Sequence, residues 1–413
     1  MTNETKNVPE LRFPEFDGEW EEDKLRDLLK DNVILEQSDG NHGELYPKSS
    51  EFTEDGIPYL AASNISNNSI SYQNIKYLPL ERAKQFKKGV ARDGDILLAH
   101  NATVGPSVLL KTDFPFVILS TTLTLYRINK VKMDNHFFLN EIRSNNIQNQ
   151  LKKLMKQTTR NQVPILLQRT MHITYPKTLA EQHKIGSFFS KLDRQIELEE
   201  QKLAKLEEQK KGYMQKIFSQ ELRFKDENGN EYPEWENQTI ENLLKERNER
   251  SSEGDMLSVT INSGIIKFNE LDRKDNSSKD KSNYKVVKKN DIAYNSMRMW
   301  QGASGKSEYD GIVSPAYTVV YPLENVNSVF IAYLFKTYKM IHIFKINSQG
   351  LTSDTWNLKY KQLKDINIKI PILAEQERIA EFFKNIDKLI EKQSNKLKVL
   401  NENKKGYLQK MFI

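Results

Sequence analysis

The chain has 413 residues, a formal charge of +6 from 62 Lys+Arg against 56 Asp+Glu, 10% aromatics and no cysteine. Its mean hydropathy is −0.68. That length accommodates two or three domains with their own cores. The missing cysteines exclude disulfides, thiolate nucleophiles and zinc–thiolate sites. No stretch approaches the roughly 18 consecutive apolar residues of a membrane helix. Met1 to Pro9 is polar, without the apolar core of a secretion signal, so a cytoplasmic location and no membrane partner are expected. The mild positive excess permits nucleic-acid binding without establishing it.

In chain order, Leu11-Arg12-Phe13 with Trp20 leads into short strand-like runs at Ile57 to Ala61, Asp95 to Ala99, Ser107 to Leu110 and Leu119 to Ile128. Turn formers such as Arg92-Asp93-Gly94 and Val104-Gly105-Pro106 separate them. Helical periodicity follows near Asp134 to Met155. Pro176 then precedes a 40-residue stretch, Leu179 to Phe218, that reads as one long helix. Leu222-Arg223-Phe224 with Trp235 restarts the series. Strand-like runs recur at Lys285 to Val287, Asp291 to Asn295 and Tyr317 to Tyr321, and helical periodicity at Val329 to Phe344. Pro371 precedes a second long helix, Leu373 to Phe412.

The two long stretches align without a gap, with 21 of 40 positions identical. Leu179-Ala180-Glu181-Gln182 returns as Leu373-Ala374-Glu375-Gln376, and Lys210-Lys211-Gly212-Tyr213 as Lys404-Lys405-Gly406-Tyr407. Apolar residues recur at steps of four and three: Ile185, Phe189, Leu192, Ile196, Leu203, Leu206, Tyr213 and Ile217, then Ile379, Phe383, Ile386, Ile390, Leu397, Leu400, Tyr407 and Met411. This heptad seam predicts helices packed as a coiled coil. The seam's polar members repeat as well, Glu199 matching Gln393 and Lys210 matching Lys404. A helix of this length spans roughly 60 Å at 1.5 Å per residue and would leave its apolar stripe in water if alone. Two copies in one chain therefore predict an antiparallel intramolecular pair.

The expected fold class is α+β: two mixed α/β domains separated by two long antiparallel helices, with an internal pseudo-twofold repeat. The expected divisions are residues 1–175 and 221–370 for the two domains, with 176–220 and 371–413 for the helices.

A duplicated L-A-E-Q-x-x-I-x-x-F-F-x-x-x-D segment that runs into a heptad helix and K-K-G-Y-x-Q-K resembles the specificity subunits of type I restriction-modification systems. The Leu-Arg-Phe motif followed by Trp is similar too. The resemblance implies a non-catalytic chain whose two variable halves are target-recognition domains for a split, asymmetric double-stranded DNA site. The helices would act as a spacer. It also implies two methyltransferase subunits that methylate adenine with S-adenosylmethionine, and restriction subunits that use ATP and Mg. This chain itself would bind no cofactor.

Base edges are read by Arg, Asn and Gln, and phosphates are held by Lys, Ser and Thr. Loops combining these residues are the candidates. In the first half they are Ser63 and Asn64; His100, Asn101 and Thr103; and Gln157, Thr158, Thr159, Arg160, Asn161 and Gln162. In the second half they are Asn262; Asn295, Arg298, Trp300 and Gln301; and Thr352, Ser353, Trp356 and Asn357.

Enzymatic motifs fail letter by letter. Gly302-Ala303-Ser304-Gly305-Lys306-Ser307 resembles a phosphate loop, but Trp300 stands where the first glycine is required. No proline-proline-aromatic tetrapeptide of a DNA adenine methyltransferase occurs. Six histidines are scattered without metal-ligand spacing, so no metal site is expected. A stand-alone DNA-binding regulator and a coiled-coil assembly adaptor are the competing classes.

Overall fold

The computed structural model describes residues 7–66, 69–158, 160–261, 263–271, 280–352 and 355–413. Two compact units form, one from residues 1–200 with 395–413 and the other from 201–394. The first long helix, Leu179–Phe218, contributes its first half to unit 1 and its second half to unit 2. The second, Leu373–Lys410, does the reverse.

In unit 1 an antiparallel sheet runs in the order Ile34–Asp39, Leu123–Ile128, Ile96–Asn101, Thr103–Leu109. Successive side chains of a strand point to opposite faces, and here both faces are covered. Ile96, Leu98, Tyr126 and Ile128 pack with Phe138, Ile142 and Ile147 of the helices on one side. Leu97, Ala99, Leu123 and Leu125 pack on the other with Leu60, Val117 and Leu119 of a second sheet. That second sheet contains a parallel pair, Ile118 opposite Tyr59.

Unit 2 repeats the plan with shorter strands: Leu244–Glu246, Tyr317–Pro322, Ile292–Asn295, Ser304–Lys306. Ile292, Tyr294 and Val320 face the helices, and Ala293 and Val319 face the other layer. Each unit is thus a mixed helix-and-sheet domain, as the strand and helix signals predicted.

Three predicted elements are divided. Leu119 to Ile128 is two strands, Val117–Leu119 and Leu123–Ile128, in different sheets. Asp134 to Met155 is two helices, Asn135–Arg143 and Asn145–Met155, because extended Ser144 caps the second by accepting from Ile147 N–H. Val329 to Phe344 breaks in the same way, where Thr337 accepts from Met340 N–H and starts Tyr338–Asn347. Short polar side chains favour such caps over helix interiors.

Within each unit the long helices run antiparallel. In unit 1, Phe189 lies against Phe412 with ring centroids 5.7 Å apart, Lys404 Nζ is 2.5 Å from Asp193, and Lys396 Nζ is 2.7 Å from Glu199. In unit 2, Phe218 stacks on Phe383 at 6.1 Å and Lys210 Nζ is 2.6 Å from Asp387. Three of the polar seam members, Glu199, Lys210 and Lys404, are therefore held in cross-helix ion pairs, and Asp193 and Asp387 do the same work in the two repeats. Burial depresses the Lys404 ammonium, opposed by the Asp193 charge. Seam residues are fully buried where a domain covers the helix pair, as at Ile185, Phe189, Ile379 and Phe383. Leu203, Leu206 and Ile390 are half-buried, and Tyr213 is exposed at 38% with its ring edge-on to Phe382.

The acids that recur in the two copies of the motif hold each lead-in segment. Glu181 accepts from Arg12 Nε at 2.7 Å, Arg12 Nη2 at 2.8 Å and Trp20 Nε1 at 3.2 Å. Glu375 accepts from Arg223 Nε at 3.2 Å, Arg223 Nη2 at 2.7 Å and Trp235 Nε1 at 3.2 Å. The neighbouring glutamines, Gln182 and Gln376, accept from Asp134 N–H and Asn327 N–H, which fixes where each domain helix starts.

Candidate nucleic-acid interface

In each unit two loops chosen separately for their side chains meet through the backbone. In unit 1 the strand Ile96–Asn101 turns through Ala102 into Thr103–Leu109. Ala102 takes a left-handed φ of +64°, strained for a residue with a Cβ. Its N–H donates to Asn161 O at 2.9 Å, Asn101 bridges to Gln162, and Val163 N–H donates to His100 O at 2.8 Å. The neighbouring strain is thus held by the loop Gln157 to Gln162. In unit 2 the equivalent bond runs from Leu358 N–H to Ser296 O at 2.9 Å, and Trp300 meets Trp356 edge-on at 5.3 Å.

The side chains beneath these joints differ. In unit 1 His100 is 5% exposed, its Nδ1 2.9 Å from Thr124 Oγ1. Burial pushes its pKa down, so the ring is held neutral in the interior and does not reach solvent. Gln168, wholly buried, donates to Thr124 Oγ1 and Val163 O and accepts from Tyr126 and Gln37. In unit 2 Ser296 bonds Thr318 in place of the His100–Thr124 pair, and buried Leu358 and Leu363 line the core there.

The other candidates are placed as follows. Arg160, Asn161, Gln157, Thr103 and Ser63 are exposed, and Asn101, Thr158 and Gln162 are half-buried. Asn64 spends its side-chain oxygen on Ala61 N–H, in a short turn packed on the strand Ile96–Asn101. Arg298 and Thr352 are exposed. Asn295 accepts from Met297 N–H, and Trp300 Nε1 donates to Met297 O. Gln301 and Asn357 each bury a side-chain oxygen with no partner among the described residues. Thr159, Asn262 and Ser353 lie outside the described residues.

Composition missed two contributors. Gln362 lies beside this cluster, donating to Gln349 Oε1 at 3.1 Å. Lys336, at the elbow between two helices, donates to Ile261 O at 2.6 Å and Gly302 O at 2.5 Å, tying two loops together. Burial pushes its pKa down to about 8. It also lines a cleft of about 1200 Å³ with Phe218, Trp235 and Met340. Amide donors, exposed arginines and backbone-fixed loops form a surface suited to base edges and phosphates. No group of three or more His, Asp or Glu that could hold a metal exists among the described residues. The Gly302 to Ser307 segment contains a paired strand, Ser304–Lys306, rather than a loop opening a helix.

Arg160 and Arg298 give a direct check. Alanine at either position should shallow the log Kd against log salt slope for DNA by about one phosphate contact. An unchanged slope would remove that side chain from the interface.

The architecture is that of a duplicated scaffold carrying two unlike loop clusters. The family described as type I restriction modification DNA specificity domain matches residues 18–208 and 232–402. The chain belongs to that family, the specificity subunits of type I restriction-modification systems. It is 25% identical over 405 residues to the putative type I restriction enzyme MjaX specificity subunit of Methanocaldococcus jannaschii, covering 94% of this chain and 91% of that protein. It is also 25% identical over 232 residues to the MjaVIII specificity subunit of the same organism, covering 54% of this chain and about half, 51%, of that protein. The S subunit from M. genitalium shares the fold with a TM-score of 0.58 at 13% identity, over 98% of this chain and 99% of that one. A chain from a structure on complex assembly and conformational transition of the type I system has a TM-score of 0.53 at 17% identity, over 95% and 97%. No helix among the described residues is long and apolar enough to cross a membrane.

Proposed function

We propose that the chain reads a bipartite, asymmetric DNA site, one half with the loops of unit 1 and the other with those of unit 2. Residues 1–175 and 221–370 serve as recognition domains, and 176–220 with 371–413 as the spacer. The observation that carries this is a shared joint with unlike side chains: Val163 to His100 in one unit, Leu358 to Ser296 in the other. A fixed frame with exchangeable surface residues suits two readers of different sequence. Linking them raises the effective concentration for the second contact once the first is made.

The chemistry then belongs to partners in the cytoplasm. Two methyltransferase subunits carry S-adenosylmethionine and methylate adenine, and restriction subunits supply ATP- and Mg-dependent cleavage. This chain contributes recognition and no catalytic residue.

Single-molecule sequencing of cells carrying this chain and its methyltransferase should reveal methylated adenines in one bipartite motif that disappears on deleting the gene. Exchanging residues 236–370 for those of another family member should change one half of the motif and leave the other. Simultaneous change in both halves would defeat the two-reader assignment.

A further inference from the structure

Beneath the loop joint of unit 1 the buried side chains of Gln37, His100, Thr124, Tyr126 and Gln168 form one polar chain. Its hydrogen bonds run in a single direction. Arg169 Nε, a group that can only donate, donates to Gln37 Oε1 at 2.9 Å. Gln37 therefore turns its amide nitrogen to Gln168 Oε1, at 3.1 Å. Gln168 Nε2 in turn donates to Val163 O at 2.7 Å and to Thr124 Oγ1 at 3.0 Å. A carbonyl can only accept, so this amide is fixed as well. Thr124 Oγ1 has one further contact among the described residues, His100 Nδ1 at 2.9 Å. The hydroxyl proton goes there, because a buried donor without an acceptor is costly. His100 thus carries its own proton on Nε2.

Unit 2 builds the same joint without such a chain. Val320 lies opposite Ile292 as Tyr126 lies opposite Ile96, so it holds the place of Tyr126. Leu363 follows Leu358 by five residues, as Gln168 follows Val163, and it packs in the apolar core. The joint itself is unchanged: Leu358 N–H to Ser296 O is 2.9 Å, and Val163 N–H to His100 O is 2.8 Å. Apolar filling therefore suffices to make it, and exchanging both partners of a buried hydrogen bond for apolar groups is often nearly neutral. A fully partnered network does something else: it specifies one arrangement of the groups it holds. Here those groups are Val163 and the His100 ring. Asn101, Asn161 and Gln162, the amides offered to base edges, lie within two residues of them and are tied across the joint.

We propose that Thr124 and Gln168 are positioning residues for DNA reading by unit 1. They hold His100 and Val163, and through these the amides of Asn101, Asn161 and Gln162, without touching DNA themselves. The proposal rests on the DNA-reading role above and names part of what sets its specificity.

Thr124→Val deletes the hydroxyl at nearly constant shape, and Thr124→Ser keeps it. The chain is assembled with its methyltransferase subunit, and affinity is measured for the cognate duplex and for duplexes with single-base changes. In the half-site of unit 1, identified by the domain exchange above, Thr124→Val should lower this discrimination about tenfold, the scale of stranding a buried hydrogen-bond partner. Discrimination in the other half-site and the salt slope should match the wild type. Thr124→Ser should restore the ratio. Histidine-selective ¹⁵N NMR of the full chain reads the direction of the bonds, with His100 assigned by its absence from His100→Gln. The proton should sit on Nε2 in the wild type and in Thr124→Ser, and be shared between tautomers in Thr124→Val. A wild-type proton on Nδ1 overturns the proposal, whether or not Thr124→Val folds. Unchanged discrimination by folded Thr124→Val also overturns it, leaving the network a structural role and the reading of DNA intact, as does an equal loss in both half-sites. Absence of sequence-specific binding by the wild-type complex would overturn the reading itself.

Discussion

Replacing Glu375 by alanine is expected to destabilise unit 2 by roughly 3–5 kcal/mol, the cost of leaving a buried ion pair with one partner. Glu375 has no exposed surface, and it is the common acceptor for Arg223 and the indole of Trp235. Removing it strands a guanidinium whose side chain is only 20% exposed and opens the cavity around Trp235. Glu181→Ala should do the same in unit 1 through Arg12 and Trp20. Hydrogen exchange distinguishes the two variants. In Glu375→Ala the segment from Leu222 to Trp235 should lose protection while Leu11 to Trp20 keeps it, and Glu181→Ala should give the mirror image. Equal protection of both segments in both variants would show that these carboxylates are not what holds the lead-in segments.

Glu141→Gln is expected to stabilise unit 1, and increasingly so as the pH rises from 5 to 8. Glu141 is wholly buried in the helix Asn135–Arg143, accepts one hydrogen bond from Thr174 N–H and leaves Oε2 without a partner. Burial raises its pKa to about 8, partly opposed by the Thr174 bond. In the unfolded chain the same group ionises near pH 4.5. The folded state therefore holds a proton that the unfolded state releases, and stability falls across that window and flattens above it. At pH 8 the accumulated loss is on the order of 4 kcal/mol from the shift in pKa. Glutamine has the shape of the protonated acid and does not titrate, so this fall should be missing from the variant, and the difference in urea-unfolding stability between the two proteins should widen from pH 5 to 8. Parallel profiles for the two proteins would place the proton elsewhere.

The long helices were legible because their signal is repeated: a 40-residue heptad pattern, twice, with the same polar substitutions in the seam. The observed span Leu179–Phe218 coincides with the predicted one, and the second copy stops at Lys410, two residues short of the prediction. The breaks at Ser144 and Thr337 were not legible, since apolar periodicity continues through both and only the cap geometry reveals them. The lead-in motif and the L-A-E-Q motif were each visible as words. Their contact was not, because Arg12 and Glu181 are 169 residues apart and nothing local marks the pair. The candidate loops were chosen by composition, which says nothing of side-chain direction. His100 continues the inward alternation of Ile96 and Leu98, and that places its ring in the interior. The backbone bonds that join each pair of loops leave no trace in the letters, since any residue but proline can make them.

The ends of the two long helices receive their lead-in segments in the same way. Leu222 N–H donates to Lys216 O at 3.0 Å, and Leu11 N–H donates to Lys410 O at 2.8 Å. In the first case three residues of continuous peptide, Ser219 to Glu221, join helix and segment; in the second no such link exists and the seat is filled all the same. The covalent link is therefore dispensable for docking. A protease that severs the backbone after Gln220 would leave two fragments adhering through Phe218 against Trp235 and Phe383 and through the Lys210–Asp387 and Lys404–Asp193 ion pairs, a molecule cut without coming apart.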